Sequence, residues 1–245
     1  MPDSEVDELL GSARQNPPMS SMSLPPLIPG DWKKLEGDDA FRLGQRYADS
    51  LSLSFMRNFG AREFRQVDGI RAMPLACYPR HLLCEVGLEI RGTSMVSAFL
   101  FGAEGLTILD GTSHLIHDLN LRISLNLGTE AAALDYTRFF GSAVHGEEGR
   151  FQFLTMESEL EPFAANEFAK LRHHVRLPVV TRNGATWMVK GTVRYGRHLF
   201  HSTFDLQSNG LIEMVQDEGI DCILPCGPDM FDNLSRGAPI CAEGN

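Results

Sequence analysis

The sequence predicts an α+β protein in which a predominantly antiparallel, curved sheet packs on helices. Two observations lead to this prediction. Short runs of alternating apolar residues are separated by turns that contain glycine and asparagine, a pattern typical of antiparallel strands. Two longer stretches, 39–59 and 130–145, instead repeat their apolar residues every three or four positions, as amphipathic helices do.

Changes in composition divide the chain into four predicted parts. Residues 1–30 are rich in proline and acids and read as a disordered tail. An N-terminal α+β subregion follows over 31–127, with a helix and then antiparallel strands. Residues 128–220 form a helix and an antiparallel meander, and 221–245 form a C-terminal extension that is surface-exposed from 227 onward.

In the first subregion, Asp38 or Asp39 caps the predicted helix 39–59, and Gly60 ends it. A strand over 50–55 is the alternative, because apolar and polar residues alternate there. Residues 82–90 read as a strand. The runs 95–101 and 106–109 flank the short connection 102–105, which contains two glycines, and therefore predict a hairpin. A short strand or extended segment follows at 123–127.

The helix over 130–145 has the strongest local signals in the chain. Thr129 is placed to cap its start and Gly146 to follow its end. One apolar stripe runs along it, formed by Ala132, Tyr136, Phe139, Phe140, Ala143 and Val144. A strand is expected at 151–156 and a helix at 163–174. A meander then follows over 179–181, 187–195, 199–206 and 211–215, with turns at Asn183-Gly184 and Ser208-Asn209-Gly210.

The order of helix and antiparallel meander between Glu130 and Asp217 resembles the arrangement of cystatin-like and NTF2-like domains. The resemblance implies a curved sheet wrapped around a helix. It lies in the order of elements and covers less than half of the chain. Because that arrangement includes enzymes, binding modules and transport factors, it implies no particular activity.

Charge and cysteine content restrict the partners and the compartment. The chain has 32 acidic and 22 basic residues, a formal net charge of −10, which disfavours nucleic acid and an anionic membrane surface. No apolar run reaches the about 18 residues of a membrane span, and the N-terminus lacks the features of a secretory signal. The five cysteines, at irregular spacing, predict free thiols in a reducing, cytoplasmic compartment. No cofactor is expected.

Candidate catalytic residues lie in two short segments. The first contains Asp110, His114, His117 and Asp118 within 110–120. On a helical turn, His114 and His117 share one face, and with a third ligand from elsewhere they could hold a divalent metal. Acid–base chemistry without a metal is a second interpretation. A polar loop whose side chains make local hydrogen bonds is the third, and the spacing favours it.

The second segment places His145 and Glu147 directly after the helix 130–145. Neighbouring carboxylates at 147 and 148 could raise each other's pKa, as a general acid requires. In the structural interpretation, a protonated histidine at the end of a helix is stabilised by the helix dipole. No nucleophile elbow or phosphate-binding motif is present in the sequence. We therefore expect a non-catalytic binding or adaptor protein with a protein partner or a small ligand. The alternatives are a small hydrolase-like or isomerase-like enzyme built from both segments, and a self-associating subunit.

Overall fold

The computed structural model describes residues 22, 24–55, 64–90, 92–232 and 234–241. These residues fall into two compact units. The first contains the described residues up to Leu109 together with 231–238, and the second contains 110–230 and the described residues from Pro239 onward. Both units combine antiparallel strands with helices, so the predicted α+β class is confirmed.

The first unit is built from one long helix and an antiparallel sheet. Its helix α1 spans Gly37–Phe55. The helix predicted here is therefore confirmed, and the alternative of a strand over 50–55 is wrong. Position 60, where the helix was predicted to end, lies outside the described residues. The strands before and after α1 are β1 (Lys33–Leu35), β2 (Phe64–Leu75), β3 (Tyr78–Ile90), β4 (Thr93–Gly102) and β5 (Gly105–Ile108).

The sheet of the first unit follows the chain. Strands β1 to β4 pair in sequential antiparallel order, and β5 pairs back on β4 as the predicted hairpin. Helix α1 contributes Leu43, Tyr47 and Leu51 to a core shared with the sheet, where Val86 and Phe99 are fully buried. The three helix residues recur at four-residue steps, so one face of α1 is buried and the other is solvated.

A buried carboxylate lies in the first unit between two arginines. The Glu85 side chain is completely buried, and it accepts hydrogen bonds from Arg71 at 2.6 Å and from Arg236 at 3.2 Å. It also accepts the backbone N–H of Leu27 at 2.9 Å. Leu24, Leu27 and Ile28 are themselves buried, so the part of the predicted tail that the structure describes packs against the unit.

The second unit contains the remaining helices and most of the remaining strands. Helix α2 spans Ser113–Arg122 and helix α3 spans Glu130–Ala143. The short helices are α4 (Glu161–Ala164) and α5 (Phe168–Leu171), with 3₁₀ turns at Glu157–Leu160, Ala165–Glu167 and Arg172–His174. The strands are β6 (His145–Gly146), β7 (Gly149–Arg150), β8 (Gln152–Leu154), β9 (Val179–Asn183), β10 (Thr186–Tyr195), β11 (His198–Leu206) and β12 (Ile212–Gly219).

Antiparallel pairing in the order β8-β10-β11-β12, with β9 also on β10, forms the sheet of the second unit. Helix α3 begins as predicted, with the backbone N–H of Ala132 donating to the Thr129 hydroxyl at 3.2 Å. It buries Ala133, Tyr136 and Phe139. The predicted helix 163–174 is instead a series of short helical turns, and 123–127 is extended without strand pairing.

The prediction of a surface-exposed C-terminal extension from 227 is wrong. Strands β13 (Cys226–Asp232) and β14 (Ser235–Cys241) occupy this stretch, and Asp229 and Arg236 are buried in it. Strand β14 pairs with β4 through Arg236 and Gly237. The density of proline, glycine and aspartate is typical of a loop. The stretch nevertheless forms strands because the sheet of the first unit supplies hydrogen-bond partners from distant parts of the sequence.

The prediction of five free thiols is also wrong. Cys226 and Cys241 form a disulfide with their Cα atoms 3.9 Å apart, while Cys77, Cys84 and Cys222 are free. The fifteen-residue separation gave no recognisable motif, because the pairing depends on how β13 and β14 lie in the fold. Cysteine content therefore gives no support to a reducing compartment. Within the described residues, no helix is long and apolar enough to cross a membrane.

Candidate functional site

The Asp110 carboxylate is held by local hydrogen bonds at the start of α2. Its Oδ1 accepts the backbone N–H of Thr112 at 3.0 Å and the hydroxyl of Thr112 at 2.6 Å. Such a turn satisfies backbone donors before the first helical residue. The contacts of Asp110 therefore match the structural interpretation of the segment 110–120.

Helix α2 carries the other predicted residues of this segment. His114 and Asp118 are exposed, whereas His117 is half-buried and its ring centroid lies 5.4 Å from that of Phe140 on α3. Among the residues that the structure describes, no group of three or more histidine, cysteine, aspartate or glutamate side chains is placed to hold a metal ion. His114 and His117 have the predicted helical spacing. Among the described side chains, however, none is placed near them as a third ligand.

The two predicted segments meet at one point. The backbone N–H of His145 donates to the carbonyl of Gly111 at 2.9 Å, and the His145 ring lies against Gly111. Gly111 has φ +83°, and a Cβ atom there would lie 2.6 Å from His145 Nδ1, so glycine is needed at this contact. Glu147 is exposed in the connection between β6 and β7. The structure thus places His145 next to the start of segment 110–120 and leaves Glu147 in solvent.

A cavity lies between α3 and the sheet of the second unit. Its volume is about 160 Å³. The residues that line it come from α3 and the position after it, from the region of β8, from β11 and from β12: Thr137, Phe140, Gly141, Val144, Phe151, Phe153, Phe204, Ile212 and Met214. None of the six predicted site residues is among them.

The walls of this cavity are almost entirely apolar. The one hydroxyl among the lining side chains, that of Thr137, donates to the carbonyl of Ala133 at 2.9 Å and is satisfied within the helix. The rings of Phe153 and Phe204 lie 6.0 Å apart between centroids, and Phe151 stacks on Tyr195 at 4.2 Å. An occupant would therefore be held by apolar contact and not by hydrogen bonds from the lining side chains.

Two glycines give the cavity its shape. A Cβ atom at Gly141 on α3 would collide with the backbone carbonyl of Phe151, so helix and strand approach closely only because this residue is glycine. A Cβ atom at Gly191 on β10 would overlap the ring of Phe153. Gly191 therefore leaves the space in which that aromatic ring forms part of the cavity wall.

A chain of hydrogen bonds fixes the turn that leads into the cavity's outermost strand. The side-chain amide of Asn120 donates to the hydroxyl of Tyr136 at 2.8 Å, and this hydroxyl donates to the carbonyl of Gly210 at 2.7 Å. Tyr136 is completely buried. Because β12 begins just after Gly210, these hydrogen bonds position Ile212 and Met214 relative to α3.

We predict that Gly210→Ala lowers the free energy of unfolding by about 2 to 4 kcal/mol, from backbone strain and overpacking together. Gly210 has φ +83°, and an added Cβ atom would lie 2.7 Å from the Tyr136 hydroxyl and 2.8 Å from Leu125. Chemical denaturation of the full chain measures this loss.

Gly184→Ala is the matched control for Gly210→Ala. Gly184 has φ +61° in the turn between β9 and β10, and no atom lies within 4 Å of an added Cβ. Backbone strain alone then applies, at about 1 kcal/mol. Equal losses in the two variants would show that crowding against Tyr136 and Leu125 does not add to the cost at Gly210.

Sequence reasoning missed the cavity, although it identified part of its lining. Phe140 and Val144 belong to the apolar stripe predicted for helix 130–145, and their neighbours Phe139 and Ala143 are ordinary core residues. Apolar periodicity marks a buried face but does not show where packing leaves a space. Comparison of the chain with family models, curated proteins and solved structures gives no match.

Proposed function

We propose that this protein is a non-catalytic binding protein that holds a small, uncharged, apolar molecule between α3 and the sheet of its second unit. The observation that supports the proposal is the cavity of about 160 Å³ with apolar walls. An empty apolar cavity of about 150 Å³ suffices for a benzene-sized molecule. We therefore expect a ligand, or the inserted part of a larger ligand, with the size of one aromatic ring.

The chemistry of the lining restricts the ligand further. A charged group would lose its hydration without gaining a partner, since the only lining hydroxyl is already engaged by Ala133. Aromatic ligands also gain edge and face contacts with the rings of Phe153 and Phe204. The order of helix and meander, which resembles that of cystatin-like and NTF2-like domains, is compatible with such a binding role.

Ligand-dependent thermal unfolding tests the proposal, with toluene as the probe. At a concentration ten times its Kd, toluene should stabilise the native protein by about 1.4 kcal/mol. Val144→Phe adds a ring at a lining position and should abolish this stabilisation, because the side chain then occupies the space. Val215→Phe makes the same change at an exposed residue of β12 that does not line the cavity, and it should preserve the effect.

Two outcomes would count against the cavity as the binding site. One is an unfolding temperature that toluene does not change. The other is a Val144→Phe variant that folds and responds to toluene as the unmodified protein does. Phenol completes the comparison, since its added hydroxyl group should reduce the stabilisation relative to toluene.

A small hydrolase-like or isomerase-like enzyme is the second candidate function. The contact between His145 and Gly111 favours it, because it brings the two predicted segments together. Against it, Asp110 is engaged by Thr112, and His114, Asp118 and Glu147 are exposed and do not line the cavity. The geometry therefore supports binding better than catalysis.

Partner docking and self-association stay predictions. The acidic, proline-rich residues 1–21, which suit the docking of a protein partner, lie outside the described residues. Met214 and Val215 are exposed on β12, where a second copy would find apolar surface. A cytoplasmic location also stays a prediction.

A further inference from the structure

A second recess, distinct from the apolar cavity, lies over strands β9 to β12. This groove has a volume of about 320 Å³, and its lining is mixed: Arg176, Leu177, Val179, Lys190, Gly191, His201, Ser202, Thr203, Gln216 and Glu218. A space of this size is comparable to sites that take small organic ligands. No prediction from the sequence included it.

Strand register explains how these residues come together. Lys190 pairs with Val179 on one side and with Thr203 on the other, and Thr203 pairs with Gln216, so one row of side chains crosses four strands. Cross-strand partners share a face of the sheet. Two residues along, the next row on the same face contains His201, which pairs with Glu218.

One wall of the groove is formed by the segment just before β9, which is hydrogen-bonded to β10. The backbone N–H of Arg176 donates to the Thr192 hydroxyl at 2.9 Å, and that hydroxyl donates to the carbonyl of His174 at 3.2 Å. Thr192 lies in the same row as His201. This anchor holds Arg176 and Leu177 at the edge of the groove.

Two cationic side chains line the groove without a partner among the described residues. The charged ends of Arg176 and Lys190 make no ion pair, hydrogen bond or ring contact with any other residue that the structure describes. Both line this one groove. In a chain with a net charge of −10, two cations that line one groove without an acidic partner among the described residues mark a place where an anion is favoured.

The remaining ionisable groups set the charge of the expected ligand. Burial lowers the pKa of His201, the nearby Arg176 and His174 lower it as well, and Glu218 raises it; the net shift favours the neutral imidazole. Arg176 and Lys190 against Glu218 then give two positive charges and one negative charge. The net charge of these three side chains is +1, which matches a monoanion better than a phosphate dianion.

Exposed apolar side chains stand beside these cations. Leu177 is 74% exposed and Val179 is 54% exposed, and both line the groove. We propose that the groove binds a small organic carboxylate, with its charged end at Arg176 and Lys190 and a short apolar arm against Leu177 and Val179. Bidentate pairing of an arginine with a carboxylate gives such a site directional specificity.

Titration of the full chain with hexanoate, followed by backbone NMR shifts, tests this assignment. Shifts should centre on β10 and β11 around Lys190 and Thr203. Hexanol, which keeps the apolar arm without the charge, and inorganic phosphate, which keeps an anion without the arm, should each bind this groove at least about fivefold more weakly.

Single substitutions identify the residues responsible. Arg176→Gln and Lys190→Gln should each weaken hexanoate binding about fivefold, and Leu177→Ser about threefold. Arg172→Gln is the control, because Arg172 is exposed four residues away and pairs with Glu157 at 3.6 Å. These side chains are exposed, so folding should be unaffected.

Three results would overturn the assignment. They are the absence of groove shifts up to about 10 mM hexanoate, equal affinity for hexanol or phosphate, and an Arg172→Gln variant that loses as much affinity as Lys190→Gln. Shifts confined to residues around Phe153 and Phe204 would place hexanoate in the apolar cavity and would also contradict a carboxylate site in the groove.

Discussion

Glu85→Gln should lower the free energy of unfolding by about 3 to 5 kcal/mol, the loss that follows when one partner is removed from a buried ion pair. Glu85 is completely buried and faces Arg71 and Arg236, which are 5% and 4% exposed. Glutamine preserves the volume of the side chain but leaves two guanidinium groups in the interior without their counter-charge. Denaturant unfolding of the full chain measures the loss.

Asp31→Asn is the control for this variant in the same unit. Asp31 pairs with Lys33 at 2.7 Å, but its side chain is 81% exposed. An exposed pair contributes about 0 to 1 kcal/mol, because water screens the charges. If both variants lost the same amount, the Glu85 cluster would not stabilise the first unit as its burial implies.

Asp229→Asn should have a similarly large effect in the second unit, again about 3 to 5 kcal/mol. Asp229 accepts a hydrogen bond from Arg150 Nε at 2.5 Å, and Arg194 lies 3.6 Å from the same carboxylate oxygen. All three side chains are about 1% exposed. The guanidinium of Arg194 also stacks over the ring of Phe163 at 3.6 Å, so it cannot move into solvent without losing packing.

A double substitution separates loss of charge from loss of packing at this site. Arg150→Met added to Asp229→Asn removes one of the two buried cations that face this carboxylate and should recover part of the lost stability. Glu167→Gln, which breaks the exposed pair between Glu167 and Lys170, should cost less than 1 kcal/mol. A double variant no more stable than Asp229→Asn would contradict the charge explanation.

Much of the secondary structure could be predicted because its signals are local. Thr129 caps α3 by accepting one backbone N–H, and Gly184 and Gly210 adopt positive φ in two of the predicted turns. Each of these features depends on a few consecutive residues. The same locality explains why the prediction failed for β13 and β14, since β14 pairs with β4 more than a hundred residues away in the chain.

The buried ion pairs could not be predicted for the same reason. Glu85 and Arg236 are 151 residues apart, and Arg150 and Asp229 are 79 apart. A single sequence gives no sign that such charges leave solvent, because charged residues are usually exposed. The disulfide between Cys226 and Cys241 likewise depends on the placement of two strands.

Residue type guided the prediction of a site in 110–120 and 145–148, and this site stays a prediction. The prediction was based on the histidines and carboxylates of 110–120, and in the structure Asp110 supports the start of a helix. The apolar cavity and the groove depend instead on arrangement across strands. Phenylalanines leave a space in the first, and the charged ends of Arg176 and Lys190 in the second have no partner among the described residues. Packing voids and missing partners are properties of the folded chain, and sequence spacing does not encode them directly.

The position of bound toluene in the second unit tests the proposed function most directly. Nuclear Overhauser effects between toluene and the side chains of protein labelled with ¹³C measure it. The proposal predicts contacts from the toluene ring and methyl protons to Phe153, Phe204 and Met214, all of which line the cavity. Saturable binding that gives contacts elsewhere and none to these three side chains would contradict it.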